Sequence, residues 1–322
     1  MDQESTGKMS FGEFYRRFGS LITLLILVII SAVASEHFLK PQNLLNILRQ
    51  VSYTGVIALG MTFVITAGGI DLSVGSMVAL VGGLALMGQD KLIDGWIGVC
   101  GGVAIAVGLG LLAGALNGIL ITRGRLAPFI VTLGTMSIFR SLILYFSGAG
   151  EVRCANEAFG TLGSSSLVGI PIPVFVFLIL GAIAHVLLEY TRFGRYVCAV
   201  GYNEQVAHYS GIRVGLVKFC TYVLCGFTAG VSAVILSSRM NSISSTTAGV
   251  AFELDAIAAV VIGGTSMNGG YGTVAGTIVG AIILGVINNM LNMLGVSPYL
   301  HGCVKGFVII LAVLLQYRRN RS

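Results

Sequence analysis

Long apolar stretches, separated by short polar or basic turns, run from end to end of this chain. Predominantly nonpolar runs recur near 20–37, 44–67, 73–88, 96–122, 129–147, 173–190, 217–238, 254–267, 274–294 and 299–317. A bilayer core asks for about 20 such residues per helix, with about 17 to 25 tolerated. The pattern therefore predicts an all-α polytopic membrane protein of about ten transmembrane helices. The third and eighth runs are short or broken by glycine, which points to broken or re-entrant segments. A single transmembrane domain is expected over 20–317, between an N-terminal segment 1–19 and a tail 318–322.

Composition supports this reading. Only 10% of the 322 residues are charged and the mean hydropathy is +0.92, against about 25% charged residues in soluble domains. So few charges exclude an ordinary water-soluble globule. The 45 glycines follow no collagen period, and Gly110, Gly114 and Gly118, like Gly276 with Gly280, stand at GxxxG spacing that lets helix backbones approach. Whether such contacts lie within one chain or between two is open at this stage. Six cysteines (Cys100, Cys154, Cys198, Cys220, Cys225 and Cys303) are scattered without CxxC pairs and read as small apolar packing residues, with no metal site expected.

The net charge of +6 forms no nucleic-acid-sized patch but does give an orientation, because Lys and Arg near helix ends favour the cytoplasm. With both termini inside, the inner segments hold Lys8, Arg16 and Arg17; Arg123 and Arg125; Arg192, Arg195, Arg213 and Lys218; and Arg318, Arg319 and Arg321. The outer loops hold the sparser set Lys40, Lys91, Arg153 and Arg239, near Glu36, Asp90, Asp94 and Glu151. Arg16-Arg17 followed by an apolar run ending in Ala32-Val33-Ala34 also fits a signal-peptidase site. A retained helix is favoured, because apolar character resumes at once.

Two acidic–Leu pairs, Asp71-Leu72 and Glu253-Leu254, lie between Thr66-Ala67-Gly68 and Gly82-Gly83 and between Thr247-Ala248-Gly249 and Gly263-Gly264. That match sets the third run against the eighth, an odd offset that inverts the second copy in the membrane. Inverted repeats with interrupted helices are a common transporter plan, with the substrate path at the repeat interface. A competing match of Gly68-Gly69…Gly75 with Gly269-Gly270…Gly276 would pair runs of the same orientation.

Polar groups within apolar runs are costly and informative. Asp71, Ser73, Asn117, Asn288, Asn289 and Asn292 are candidates for a translocation path, with Asn288 and Asn292 on one face at i, i+4 spacing. Gly68, Gly69, Gly75, Glu253, Asp255, Gly263 and Gly264 mark the helix breaks. Each acidic residue fits either a path or a cap on a broken helix. Arg140 also falls inside an apolar run, while His185 and Lys305 read as helix-end or snorkelling groups.

The longest basic loop, 191–216, carries a short capped helix: Asn203 is a good N-cap, Glu204 suits the positive helix end, and Gly211 is a natural C-terminal stop. A helix of about seven residues is too short to be stable alone, so it is expected to dock on something. The chain has no GxxxxGK[ST] phosphate loop, no HExxH and no GxSxG, hence no recognised means of ATP, zinc or nucleophile chemistry.

The sequence resembles the membrane-spanning permease subunits of bacterial ABC importers for ribose and related monosaccharides over nearly its whole length. The matching residues are Gly69-Ile70-Asp71-Leu72-Ser73-Val74-Gly75, Phe193-Gly194-Arg195-Tyr196, Gly201-Tyr202-Asn203-Glu204 with Ser210-Gly211-Ile212, Glu253-Leu254-Asp255-Ala256-Ile257-Ala258-Ala259, Gly263-Gly264-Thr265-Ser266, and Asn288-Asn289 with Asn292 to Val296. The resemblance implies a non-enzymatic inner-membrane subunit that binds no cofactor itself. It implies a second permease copy, as homodimer or paralogous heterodimer, two cytoplasmic subunits that bind ATP and Mg, and a periplasmic sugar-binding protein. Asn203, Glu204, Ala207, Ser210 and Gly211 would then form a coupling helix seated in the ATPase. Tyr202, His208 and Tyr209 are bulkier than is common in such permeases and fit a particular ATPase. An ion-coupled secondary carrier using Asp71, Glu253 or Asp255 and a membrane scaffold recruiting a partner through 203–211 are the alternatives.

Overall fold

The computed structural model describes residues 11–89 and 95–319. Lys8, Asp90, Lys91, Asp94 and Arg321, used above for orientation, lie outside the described residues. The chain folds as α1 (Phe11–Ala34), α2 (Pro41–Thr66), α3 (Val74–Gln89), α4 (Trp96–Thr122), α5 (Pro128–Ser147), β1 (Glu151–Arg153), α6 (Glu157–Ser164), β2 (Ser166–Leu167), β3 (Ile170–Pro171) and α7 (Ile172–His185). It continues through a π-helical turn at Val186–Tyr190 into α8 (Arg192–Tyr202), α9 (Glu204–Tyr209), α10 (Val214–Met240), β4 (Ser242–Ser244), α11 (Phe252–Ile262), α12 (Val274–Met293) and α13 (Pro298–Arg319).

Every predicted apolar run falls on a helix, but the helices are of unequal reach. Among the described residues, six are long and apolar enough to cross a membrane: Pro41–Thr66, Trp96–Thr122, Pro128–Ser147, Ile172–Tyr190, Val214–Met240 and Val274–Met293. Gly19–Ala34, Val74–Gln89 and Tyr299–Ile310 are shorter apolar helices. At 1.5 Å per residue, the 11 residues of α11 span about 16 Å, roughly half a hydrocarbon core. Helices α2, α5 and α7 open with proline in the first turn, where the missing N–H breaks no intrahelical bond.

The core is built on α2 and α10. The most apolar window of α2 is 78% buried, so this helix is the axis around which others pack. Helix α4 lies along α10 through glycine on both sides. A Cβ on Gly110 would fall 2.4 Å from the Gly226 carbonyl oxygen and one on Gly114 2.3 Å from that of Tyr222. Gly226 meets Gly110 and Gly114 in return. The Gly110-Gly114 spacing is thus spent within the chain, as is Gly276-Gly280, which meets Gly263 and Ala259 at the end of α11. Packing also follows a matched pattern: α2 contacts α11 and α12 as α10 contacts α3 and α4, and α3–α5 corresponds to α11–α13. A two-stranded antiparallel pairing, Glu151 opposite Ser244 and Arg153 opposite Ser242, closes one end.

Candidate functional site

The short helices α3 and α11 begin where the chain is unwound, and their N-terminal ends meet. A Cβ on Gly75 would lie 2.1 Å from the Gly249 carbonyl oxygen and 2.5 Å from Glu253 Oε2, and one on Gly249 2.0 Å from the Gly75 carbonyl. Only glycine permits that approach. Gly68 has φ +79° and Gly264 φ +93°, so each marks a turn that a β-carbon would strain. Gly263 presses on Gly276, and Gly69 on the Tyr222 hydroxyl.

Before α3, the fully buried Asp71 closes the break. Its Oδ1 accepts from the Ser73 N–H (2.9 Å) and the Ser73 hydroxyl (2.6 Å), and its Oδ2 accepts from Asn117 Nδ2 (3.4 Å). Asn117 Nδ2 also donates to Ser73 Oγ at 2.9 Å, and the Tyr222 hydroxyl donates to the Ile70 carbonyl at 3.2 Å. Asp71, Ser73 and Asn117 are therefore one network, turned onto the helix start.

Before α11, cations from other helices take that role. Arg140 of α5 donates to the carbonyls of Ser245 and Ala248, each at 2.8 Å. The Ser245 hydroxyl donates to the Gly150 carbonyl at 2.7 Å. Lys305 of α13 donates to Asp255 at 2.9 Å, with the lysine side chain only 16% exposed. This corrects the expectation that Lys305 snorkels away from the bundle. The carboxylate of a neighbouring helix turn draws it inward. His185 does stand at a helix end, 3.2 Å from Glu189.

The three asparagines of α12 separate. Asn288 is buried and faces a small cavity shared with Gln50 and Thr54 of α2, Asp255 and Ala259 of α11, and Ala281, Leu284 and Gly285. Asn289 exchanges amide hydrogen bonds with Asn43, at 2.7 and 3.0 Å, and ties α12 to the start of α2. Asn292 is exposed. The path candidates thus form one network, Asp71–Ser73–Asn117, and three separately placed asparagines rather than one lining. Gln50 and Thr54 were not singled out by sequence, because on an apolar helix two isolated polar residues carry no spacing signal.

The short helix forms as expected, one residue shorter. Asn203 accepts the Val206 N–H (3.0 Å), Glu204 pairs with Lys218 of α10, and Gly211 has φ +80°. The Gly211 N–H donates to the His208 carbonyl and the Ile212 N–H to the Ala207 carbonyl, the paired bonds of a left-handed helix stop. The Ser210 hydroxyl donates to the Val206 carbonyl (2.9 Å). Ala207 is buried against the body, while Tyr202, Val206 and Tyr209 are exposed. The preceding helix α8 was read only as loop. Its Gly201 is wedged between the Thr66 carbonyl at the end of α2 and the Gly270 N–H, and Gly270 itself donates to Thr66 at 2.9 Å. One element thus touches the ends of both halves of the bundle.

A family model described as "Branched-chain amino acid transport system / permease component" matches residues 43–313. The ribose import permease of Bacillus subtilis (strain 168) is 43% identical over 324 residues, covering 99% of this chain and 98% of its own. That of Escherichia coli (strain K12) is 41% identical over 305 residues, 94% of each chain. The D-allose transport system permease of the same strain is 38% identical over 311 residues, 95% of this chain and 93% of its own.

Proposed function

This chain belongs to the branched-chain amino acid transport system / permease component family, and from that premise we propose that it is the membrane-spanning subunit of an ATP-driven importer of ribose-type monosaccharides. The observation that carries the sugar reading is the identity to ribose import permeases across nearly the whole of both chains. The subunit is a multi-pass protein of the bacterial inner membrane. ATP and Mg are bound by separate cytoplasmic subunits, and a periplasmic binding protein delivers the sugar to a pair of permease chains. The helices cross about ten times, with both termini cytoplasmic.

In this reading α2–α5 and α10–α13 are inverted repeats, supported by their matched packing and by the meeting of the half-helix starts. Helix α9, with Asn203, Glu204, Ala207, Ser210 and Gly211, is the coupling element. Tyr202, Val206 and Tyr209 offer an exposed apolar face for a cleft in the ATPase, and α8 carries its movement to the ends of both repeats at Gly201. The solute passes along the polar groups at the repeat interface, among Asp71, Ser73, Asn117, Asn288, Asn289 and Asn292. Purification of the tagged chain from its host in mild detergent tests the assembly. A stoichiometric co-purifying subunit with a phosphate-loop sequence is expected; a folded sample without any ATPase would move the reading to an ion-coupled carrier.

A further inference from the structure

Three helices direct polar side chains into one small cavity of an otherwise apolar bundle: Gln50 and Thr54 from α2, Asp255 from α11 and Asn288 from α12. Among the described residues the Asn288 side chain, at 7% exposure, makes no hydrogen bond, and the half-buried Gln50 carboxamide makes none either. A buried carboxamide left unpaired costs free energy that an apolar residue of the same size would avoid. Asn288 is such a group, and with the half-buried Gln50 carboxamide facing the same space it points to a polar occupant.

The charge balance narrows its chemistry. Asp255 and Lys305 neutralise each other at 2.9 Å, so the cavity offers no net charge to a cation or an anion, while Asp255 Oδ1 keeps no hydrogen-bond donor among the described residues. What remains are two carboxamides, each able to donate and accept, and the Thr54 hydroxyl, which donates to the Gln50 backbone carbonyl at 3.2 Å and keeps its oxygen as an acceptor, above an apolar floor of Ala259, Ala281 and Leu284. Alternating donors and acceptors with one apolar side match the hydroxyl edge and C–H face of a sugar ring. The free space, about 10 Å³, is about that of one water, so the cavity is contracted here. Its movable wall is α11, which has unwound backbone before it, with Ala251 at φ +64°, and Gly264 at φ +93° after it.

Resting on the transport reading above, we propose that Gln50, Thr54 and Asn288 form a transit site for a neutral polyhydroxylated solute, opened by displacement of α11. Asp255 and Lys305 set its wall. The test reconstitutes the complete complex in vesicles with its binding protein and measures D-ribose, D-allose and L-arabinose imported per ATP hydrolysed. Asn288→Leu lowers that ratio about tenfold, the order expected for a lost hydrogen-bonding group, and Gln50→Leu and Thr54→Val lower it several-fold. Damage to the fold lowers import and hydrolysis together and leaves the ratio alone. A wild-type ratio in all three variants overturns the site, and if Asn288→Leu fails to assemble, the other two decide by the same criterion. Import of none of the sugars by the wild-type complex overturns the transport reading and this site with it.

Discussion

The breaks before α3 and α11 solve the same problem by different means. An unwound segment inside an apolar bundle leaves backbone groups that no water can satisfy. Before α3, seven residues suffice, 67–73, and the repair is local. Asp71 binds Ser73 two residues on, and Asn117 and Tyr222 reach in from α4 and α10. Before α11 the connection from α10 is longer, 241–251, and takes positive φ at Asn241 (+52°), Gly249 (+70°) and Ala251 (+64°). Its carbonyls are held by the guanidinium of Arg140, and the helix itself by the Lys305–Asp255 pair. A short break can be closed by a side chain within it. A long one depends on charges delivered from other helices, and such attachments can be exchanged as helices move.

Removing one charge at a time should separate the two most sharply. Lys305→Met strands Asp255, 7% exposed at its side chain, and should cost about 3–5 kcal/mol, most of it recovered in Lys305→Met with Asp255→Leu. Unfolding midpoints of the purified chain in detergent read both, and a double variant as unstable as the single one would refute a charge-held break. Arg140→Met leaves the Ser245 and Ala248 carbonyls without donors, at about 2–4 kcal/mol, with faster proteolysis between α10 and α11. Asp71→Asn keeps its acceptor oxygen and should cost only about 1 kcal/mol, against about 2–3 for Asp71→Ala. Equal losses would mean that the first break also needs its charge.

Gly211→Val, remote from both breaks, tests the backbone alone. No atom lies within 4 Å of the added Cβ and only φ +80° opposes it, so a local cost of about 1–3 kcal/mol should appear as ATP hydrolysis uncoupled from import. The smallest effect belongs to Glu151, the first residue of β1. Its carboxyl is held below the usual range first by the Ser242 hydroxyl and then by Arg153. A depressed carboxyl stabilises the fold above its unfolded pKa, and that contribution is lost as pH falls through the folded one. Loosening of the β1–β4 pairing should therefore begin only below the ordinary glutamate range, and amide exchange at Val152 and Ile243 would register it.

Much of this architecture was legible in advance, because its causes are local or periodic. Apolar runs mark helices whatever packs against them, proline marks their starts, and Asn203 and Gly211 mark the ends of a helix through bonds that span only a few residues. Repeated Gly and acidic positions pointed to a correspondence between the third and eighth runs, but the contact between their ends came only from the structure. Other features were not, for a common reason. Lys305 and Asp255 are 50 residues apart, Asn43 and Asn289 are 246 apart, and Gln50 stands beside Asn288 only because α2 and α12 pack together. The chain alone determined that this is a helical membrane protein with broken helices and a short capped helix, since propensity, hydropathy and capping act over one or two helical turns. Only the tertiary structure decided which polar groups cancel one another and which remain free. An unpartnered amide and a satisfied one read identically in sequence, and their difference is made by what another helix brings within 3 Å.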